Sequence, residues 1–279
     1  MQEWQGLLRK VLRHGEKRDD RTGAGTLALF GESVTFDNRT AFPAVTTKRL
    51  GFEQMAAELA CFLQGARSLD EFHKLGCTIW DGNGLAPYWT PRTEFEGDLG
   101  RIYGVQWRDW QSIDSDGQCK NTDQLRGLVS GLLKDPHSRR HIVTAFNPGE
   151  LDQMCLPPCH LFFQCFVNRE GRLDMTVYMR SVDVFLGLPF DVASYALLQR
   201  LLAQTLGHPF TPGFLTFFLG DTHIYLNHIA QVELVLSREA CAAPTLALDS
   251  KATVFDFYPS QASLRGYVHL GAVPAPLNV

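Results

Sequence analysis

No apolar run in this 279-residue chain approaches the roughly 18 residues that span a bilayer, and the opening, Met1 to Arg18, is polar and charged rather than built like a signal peptide. A cytoplasmic protein is expected. A C-x-x-C pair or any other zinc spacing is also missing: seven cysteines, an odd number, are scattered at 61, 77, 119, 155, 159, 165 and 241. They are expected to be reduced thiols, most of them small buried apolar residues, with no metal. An excess of one charge is lacking too. The net charge of −4 argues against a basic coat for nucleic acid, although a local cluster such as Arg139-Arg140 can still hold a phosphate.

Repeats, linkers and low-complexity segments are absent, and 45% apolar with 20% charged residues is ordinary for a chain with a sizeable core. Trp4, Leu7, Leu8 and Val11 predict an amphipathic helix over 2–14, a charged glycine-bearing loop follows at 19–25, and 26–36 is strand material. Phe52, Met55, Ala56, Leu59 and Phe62 mark a second helix, and Ser68 with Glu71 forms a capping box for a third that stops at Gly76. Residues 81–100, rich in Gly and Pro, form the longest irregular stretch. A helix over 125–132 ends near Asp135-Pro136, then come a strand at 141–146 and a hairpin of strands 160–168 and 172–179. A long apolar helix at 191–206, a buried strand at 214–219 and a helix at 226–237 complete the pattern. Interleaved helices and strands predict a single mixed α/β domain over 1–279.

Cys159 stands in Leu156-Pro157-Pro158-Cys159-His160, just before a strand. Alone, such a cysteine is more often packing than nucleophile. Its neighbours change the reading. Arg180-Ser181-x-Asp183 and Leu186-Gly187-Leu188-Pro189-Phe190 follow it. Elsewhere stand Asp20-Arg21-Thr22-Gly23, Phe42-Pro43-x-Val45-Thr46-Thr47-Lys48-Arg49, Thr78-Ile79-Trp80-Asp81 and Tyr103-Gly104-x-Gln106-Trp107. Asp135-Pro136-x-Ser138-Arg139-Arg140 and Gly220-Asp221-x-His223-x-Tyr225-x-Asn227-His228 complete the set. In this order, over nearly the whole chain, the motifs resemble the thymidylate synthase family.

The resemblance implies the thymidylate synthase fold, a mixed β-sheet packed with helices, and a homodimer formed through the sheet. It implies Cys159 as the nucleophile that adds to C6 of a pyrimidine and so activates C5. Arg180 beside the thiol is expected to lower its pKa and to touch phosphate. Arg21 and Arg180, with Arg139 and Arg140 donated by the partner subunit, would form the phosphate site; on residues alone, Arg139-Arg140 reads better as a solvated surface pair. Glu58, a carboxylate in an apolar helix, is either a surface residue or one turned inward to move protons through water, and the resemblance favours the second. Tyr103 matches a residue that helps remove the C5 proton, His223 and Tyr225 match sugar-binding residues, and Ser181 one near phosphate and sugar. For His160 a packing or hydrogen-bonding role stands beside a catalytic one. Ile79, Trp80, Asp183, Leu186, Gly187, Phe190 and the terminal Val279 line up with a folate pocket and its closing tail, with 5,10-methylenetetrahydrofolate as co-substrate.

Four positions depart from the family. Asp191 replaces an Asn whose amide bonds to O4 and N3-H of uracil. A carboxylate accepts from the cytosine C4 amino group and pairs with a protonated N3, but against uracil O4 it sets acceptor against acceptor. Such a mismatch discriminates by roughly 10⁴ to 10⁵, so dCMP is the expected substrate. Asp191 before Val192-Ala193-Ser194-Tyr195 also suits a helix N-cap. Met179-Arg180-Ser181 resembles the phage deoxycytidylate hydroxymethylases, and Ser181, which is Ala in a related CMP hydroxymethylase, leans toward a deoxyribose. Cys61 replaces a usual Trp and Arg101 a usual Pro. The expected reaction is methylation of dCMP to 5-methyl-dCMP, in the setting of modified phage DNA. Alternatives are dCMP hydroxymethylation, thymidylate synthesis from dUMP, and a non-catalytic nucleotide- or RNA-binding member of the fold.

Overall fold

The computed structural model describes residues 1–278; Val279 lies outside the described residues. Its first helix, α1 (Gln2–His14), buries Trp4, Leu7, Leu8 and Val11 as their spacing requires, and the Trp4 indole donates to the Val184 carbonyl at 2.6 Å. A short β1 (Glu16–Arg18) precedes β2 (Thr26–Asp37). Helix α2 (Phe52–Gln64) ends where Gly65 turns left-handed at φ 74°, a conformation that favours glycine. The capping box at Ser68 and Glu71 starts α3 (Leu69–Lys74), with Ser68 N donating to Glu71 Oε2 at 2.9 Å and Glu71 N to Ser68 Oγ at 3.3 Å. The irregular 81–100 stretch holds one helical turn, α4 (Asp81–Gly84).

Three elements have too little periodicity to be read from sequence: α5 (Tyr103–Arg108) and a hairpin of β3 (Trp110–Ile113) and β4 (Cys119–Thr122). Asp123 then caps α6 (Gln124–Lys134) by accepting from Arg126 N at 2.9 Å. Strand β5 (Ile142–Thr144) is shorter than the 141–146 expected, and β6 (His160–Val167) and β7 (Arg172–Asp183) form the expected hairpin. Helix α7 (Gly187–Leu206) begins four residues before Asp191. Asp191 therefore lies one turn inside the helix, and the N-cap reading is wrong. Pro189 is tolerated because first-turn N–H groups have no helical partner. Strand β8 (Thr211–Tyr225) runs well beyond 214–219, and a 3₁₀ turn at Leu226–His228 precedes α8 (Ile229–Leu236), splitting the helix expected over 226–237. A late hairpin pairs β9 (Thr245–Leu248) with β10 (Ala262–Arg265).

Six strands form one mixed sheet in the order β1-β2-β8-β7-β6-β5, antiparallel throughout except for the parallel pair β7 and β8, which α7 connects. Alternation divides its two faces. The row Val34, Phe217, Val177, Phe163 and Val143 is buried under the helices. On the opposite face, Ser33, Phe218, Tyr178 and Phe162 form one cross-strand row, and Thr35, Thr216, Thr176, Gln164 and Ile142 the next. Among the described residues no element covers these rows: Phe218 is 46% and Ile142 45% exposed, and Phe162 stacks on Tyr178 at 5.9 Å. Among the described residues no helix is long and apolar enough to cross a membrane.

Candidate active site

Because β7 and β8 run parallel, their C-terminal ends emerge together, and a cleft of about 1350 Å³ opens there. Cavities for one small ligand run to roughly 1,000 Å³, so there is room for two side by side. Arg21, Glu58, Ile79, Trp80, Cys159, Arg180, Ser181, Asp183, Leu186, Gly187, Phe190, Asp191, His223 and Tyr225 all line it. Arg139 and Arg140 do not: both are exposed beside β5, where the Arg139 carbonyl accepts from Gln164 on the uncovered face. Tyr103 lies just beneath the lining, in contact with the Cys159 backbone.

Cys159 ends the extended Pro157-Pro158 segment just before β6, and its backbone N–H donates to Tyr103 Oη at 2.7 Å. Arg180 on β7 holds the same segment from the other side: Nε donates to the Pro158 carbonyl at 2.8 Å, and Nη2 reaches the Pro157 carbonyl at 2.9 Å and Cys159 Sγ at 3.8 Å. The thiol is nevertheless shifted upward. Burial pushes it up, Arg180 pulls it down, and the Asp191 carboxylate pushes it up again, so the lowered pKa expected from Arg180 alone is corrected.

A band of titratable groups lines the cleft floor. Glu58, on α2, is pushed up to about 7 by burial, opposed by the hydrogen bond that Trp80 Nε1 donates at 2.8 Å and by His160, with Asp191 adding to the rise. Glu58 is turned inward to the cleft and is not a solvated surface residue. His160 Nε2 lies 2.9 Å from Asp191 Oδ1, and its Nδ1 lies 3.3 Å from Tyr195 Oη. Burial pulls the His160 pKa down, but the charge and hydrogen bond of Asp191, helped by Glu58, leave it raised. Tyr103 is held far above its ordinary pKa by burial and by the neighbouring Cys159.

Around this floor, local turns aim the remaining groups. Asp20 accepts from Thr22 N, Thr22 Oγ1 and Gly25 N, at 2.9, 2.5 and 2.7 Å, which shapes the turn that presents Arg21. Asp183 Oδ1 accepts from Phe185 N and Leu186 N at 2.9 and 3.1 Å and so sets the entry to α7. His223 Nδ1 lies 2.9 Å from Asp221 Oδ1, and Asp221 also pairs with Arg18 at 3.0 Å. Ala272, Val273, Pro274, Leu277 and Asn278 close one wall. That tail is tied down: Leu270 N donates to Thr46 O, Arg49 N to Gly271 O, and His228 Nε2 lies 2.8 Å from Pro276 O. Val279, expected at the folate pocket, falls outside the described residues.

Lys48, within the Phe42 to Arg49 motif, carries no signal of a role in the sequence. Its buried Nζ donates to Phe185 O at 2.7 Å, and burial lowers it to about 8 against the pull of Asp183. Arg101 ties a polar network together: its Nε donates to Glu150 Oε2 at 2.7 Å, which also accepts from Gln106 Nε2, and Nη2 donates to Asp109 O. A long cation that closes a buried carboxylate network leaves no signal in periodicity. Cys61 is fully buried, and its thiol is pushed up by the Cys77 thiol beside it and by burial. Compared with known families, residues 2–279 match the one described as thymidylate synthase.

Proposed function

The chain belongs to the thymidylate synthase family, which transfers a one-carbon unit from methylenetetrahydrofolate to C5 of a pyrimidine nucleotide, and from that premise we propose that its substrate is dCMP and its product 5-methyl-dCMP. The observation that carries the reading is Asp191. Its carboxylate faces the cleft from the first turns of α7, 2.9 Å from an imidazole nitrogen, where the family's Asn would offer uracil both a donor and an acceptor. An acceptor-only group there suits the cytosine amino group and repels uracil O4.

In this reading Cys159 Sγ adds to C6, with Arg180 offsetting the developing thiolate charge that burial opposes. Glu58 holds a proton until about pH 7 and exchanges it with water at the base. Tyr103, bonded to the Cys159 and His160 backbone, stands beside the carbon that loses its proton. Arg21 and Arg180 take the phosphate, His223 and Tyr225 the sugar hydroxyl, and Ser181 the region between. Ile79, Trp80, Asp183, Leu186, Gly187 and Phe190 take the folate, which supplies carbon and hydride when bound. The cleft's volume for two ligands and its apolar wall fit that pairing. The tail at 272–278 narrows the mouth, excludes water and supports methyl over hydroxymethyl.

A second copy completes the site. Arg139 and Arg140 are remote from their own cleft but adjoin the uncovered sheet face, so face-to-face pairing of two sheets would carry them into the partner's phosphate end.

The test is turnover of dCMP and dUMP with methylenetetrahydrofolate, the products resolved by mass. Wild type is expected to prefer dCMP with dihydrofolate formed at each turnover, and Asp191→Asn to shift preference toward dUMP. Wild-type preference for dUMP would sink the cytosine reading, and 5-hydroxymethyl-dCMP without dihydrofolate would replace the methyl product.

A further inference from the structure

Beside the C-terminal end of α7 lies a second cavity, a groove of about 540 Å³ that shares no lining residue with the active cleft. At about 1.5 Å per residue α7 spans roughly 30 Å, and the cleft adjoins its other end. Phe210, Pro212, Leu246 and Leu248 make the groove's walls apolar; Arg200, Gln204, His208 and Thr211 are its polar groups. Hydrogen bonds within the chain fix these walls. Gln204 Nε2 donates to the Asp249 and Ala252 carbonyls at 2.9 and 2.6 Å, Phe210 N to Gly207 O at 2.9 Å, and Thr211 N to Gly171 O at 3.1 Å.

The fold uses only part of Arg200. Its Nε donates to Asn38 Oδ1 at 2.9 Å and Nη2 to Asn38 O at 2.7 Å, while Nη1 has no partner among the described residues. Its charge has none either. Of the buried and half-buried arginines, Arg67, Arg101, Arg108 and Arg172 each hold a carboxylate within ion-pair distance; among the described residues Arg180, Arg200 and Arg238 hold none. Arg238 lines neither cavity and donates to the Thr47 carbonyl. Arg180 lines the active cleft, where the proposed substrate is an anion, and Arg200 lines the second groove. Burial shifts the Arg200 guanidinium downward and no acidic neighbour pulls it back, so an anion meeting it gains charge-assisted bonds to a group already partly stripped of water. The end of α7 opposes an anion only weakly: its charge is partial, and Gly207 N already bonds the Ala203 and Gln204 carbonyls.

We infer that this groove binds a small organic monoanion of the aromatic carboxylate class, with Arg200 Nη1 on the carboxylate and the ring against Phe210, Leu246 and Leu248. One unpaired cation matches one negative charge, and apolar walls match a body that gains by leaving water. The site is separate from the cleft and stands whichever base that cleft takes.

The experiment titrates isotope-labelled protein with 2-naphthoate and with its neutral counterpart 2-naphthalenemethanol, reading backbone amide shifts by NMR. The carboxylate is expected to move the Gly207, His208, Phe210 and Thr211 amides with a dissociation constant of about 1 mM or tighter, and the alcohol to bind about tenfold more weakly. Arg200→Gln should weaken the carboxylate by about tenfold or more and leave the alcohol unchanged, a split that a merely structural arginine would not produce. If Arg200→Gln does not fold, Thr211→Glu carries the test, since an added carboxylate at this exposed position competes for the same guanidinium: loss of 2-naphthoate binding supports the site and unchanged binding overturns it. Equal affinity for acid and alcohol, unchanged binding in Arg200→Gln, shifts confined to the active cleft, or no shift up to ~10 mM overturns the inference as well.

Discussion

Cys159 sits between opposing influences, burial and Asp191 on one side and Arg180 on the other, and the balance shifts its thiol upward. Cys159→Ser is expected to abolish product formation while nucleotide binding, measured by calorimetry, survives, because the proposed phosphate contacts are made elsewhere. Normal turnover by that variant would remove Cys159 as nucleophile. Glu58 permits a second prediction with a sign. Its pKa rises from an ordinary carboxylate value to about 7 on folding, so between those values the folded chain holds the extra proton, and stability falls as pH rises through that window. Glu58→Gln should relieve this cost by up to ~3 kcal/mol near pH 8 and by little near pH 5, read from urea unfolding at both, while kcat drops by about 10²-fold or more. Equal stability changes at the two pH values would count against it. Each of these side chains stood out in the sequence through its motif. The contacts did not: that Trp80 donates to Glu58 and His160 to Asp191 depends on residues 22 and 31 positions apart meeting across elements.

At the scale of elements, the sites on α2 and α5 depend on a close approach of the two helices. A Cβ built on Gly104 would lie 2.8 Å from both Cα and O of Phe62, backbone atoms that cannot swing away. Gly104→Ala is therefore expected to cost about 1–3 kcal/mol and to lower activity by shifting Tyr103, measured as a reduced melting temperature together with reduced kcat; a variant with wild-type stability would show that the helices separate freely. The same helix shows why reading by pattern stops where it does. α1, α2, α3 and α6 carry apolar spacing or caps that declare them, and the β6–β7 hairpin alternates cleanly. α5 has only six residues, nearly all buried, and so shows no amphipathic period. The start of α7 was hidden by Gly187 and Pro189, residues that resemble a loop until Asp183 is seen capping the turn before them. Tyr267 adds an element-scale prediction for the tail. Its Oη accepts from Leu50 N and donates to Val45 O, both at 2.8 Å, so Tyr267→Phe strands a partly buried N–H and should cost about 1–3 kcal/mol and raise KM for the folate more than for the nucleotide.

For the whole molecule, the proposed pairing of two chains into one enzyme starts from the sheet's uncovered face and the outlying Arg139 and Arg140. Arg139→Ala and Arg140→Ala subunits are expected to be inactive alone and to regain activity when mixed with Cys159→Ser subunits, since a mixed dimer holds one complete site. Sedimentation as a monomer, or no recovery after subunit exchange, would refute this. The sheet order has a further consequence, in time rather than in space. Strand β2 finds its long partner only in β8, with Phe36 opposite Leu215 and Thr26 opposite Tyr225, so nearly 200 residues must leave the ribosome before the first long strand is paired on that side. Such high contact order makes folding slow and leaves the β2 edge exposed to other nascent chains meanwhile. Chains truncated before β8 should accordingly aggregate rather than accumulate as a soluble half-sheet.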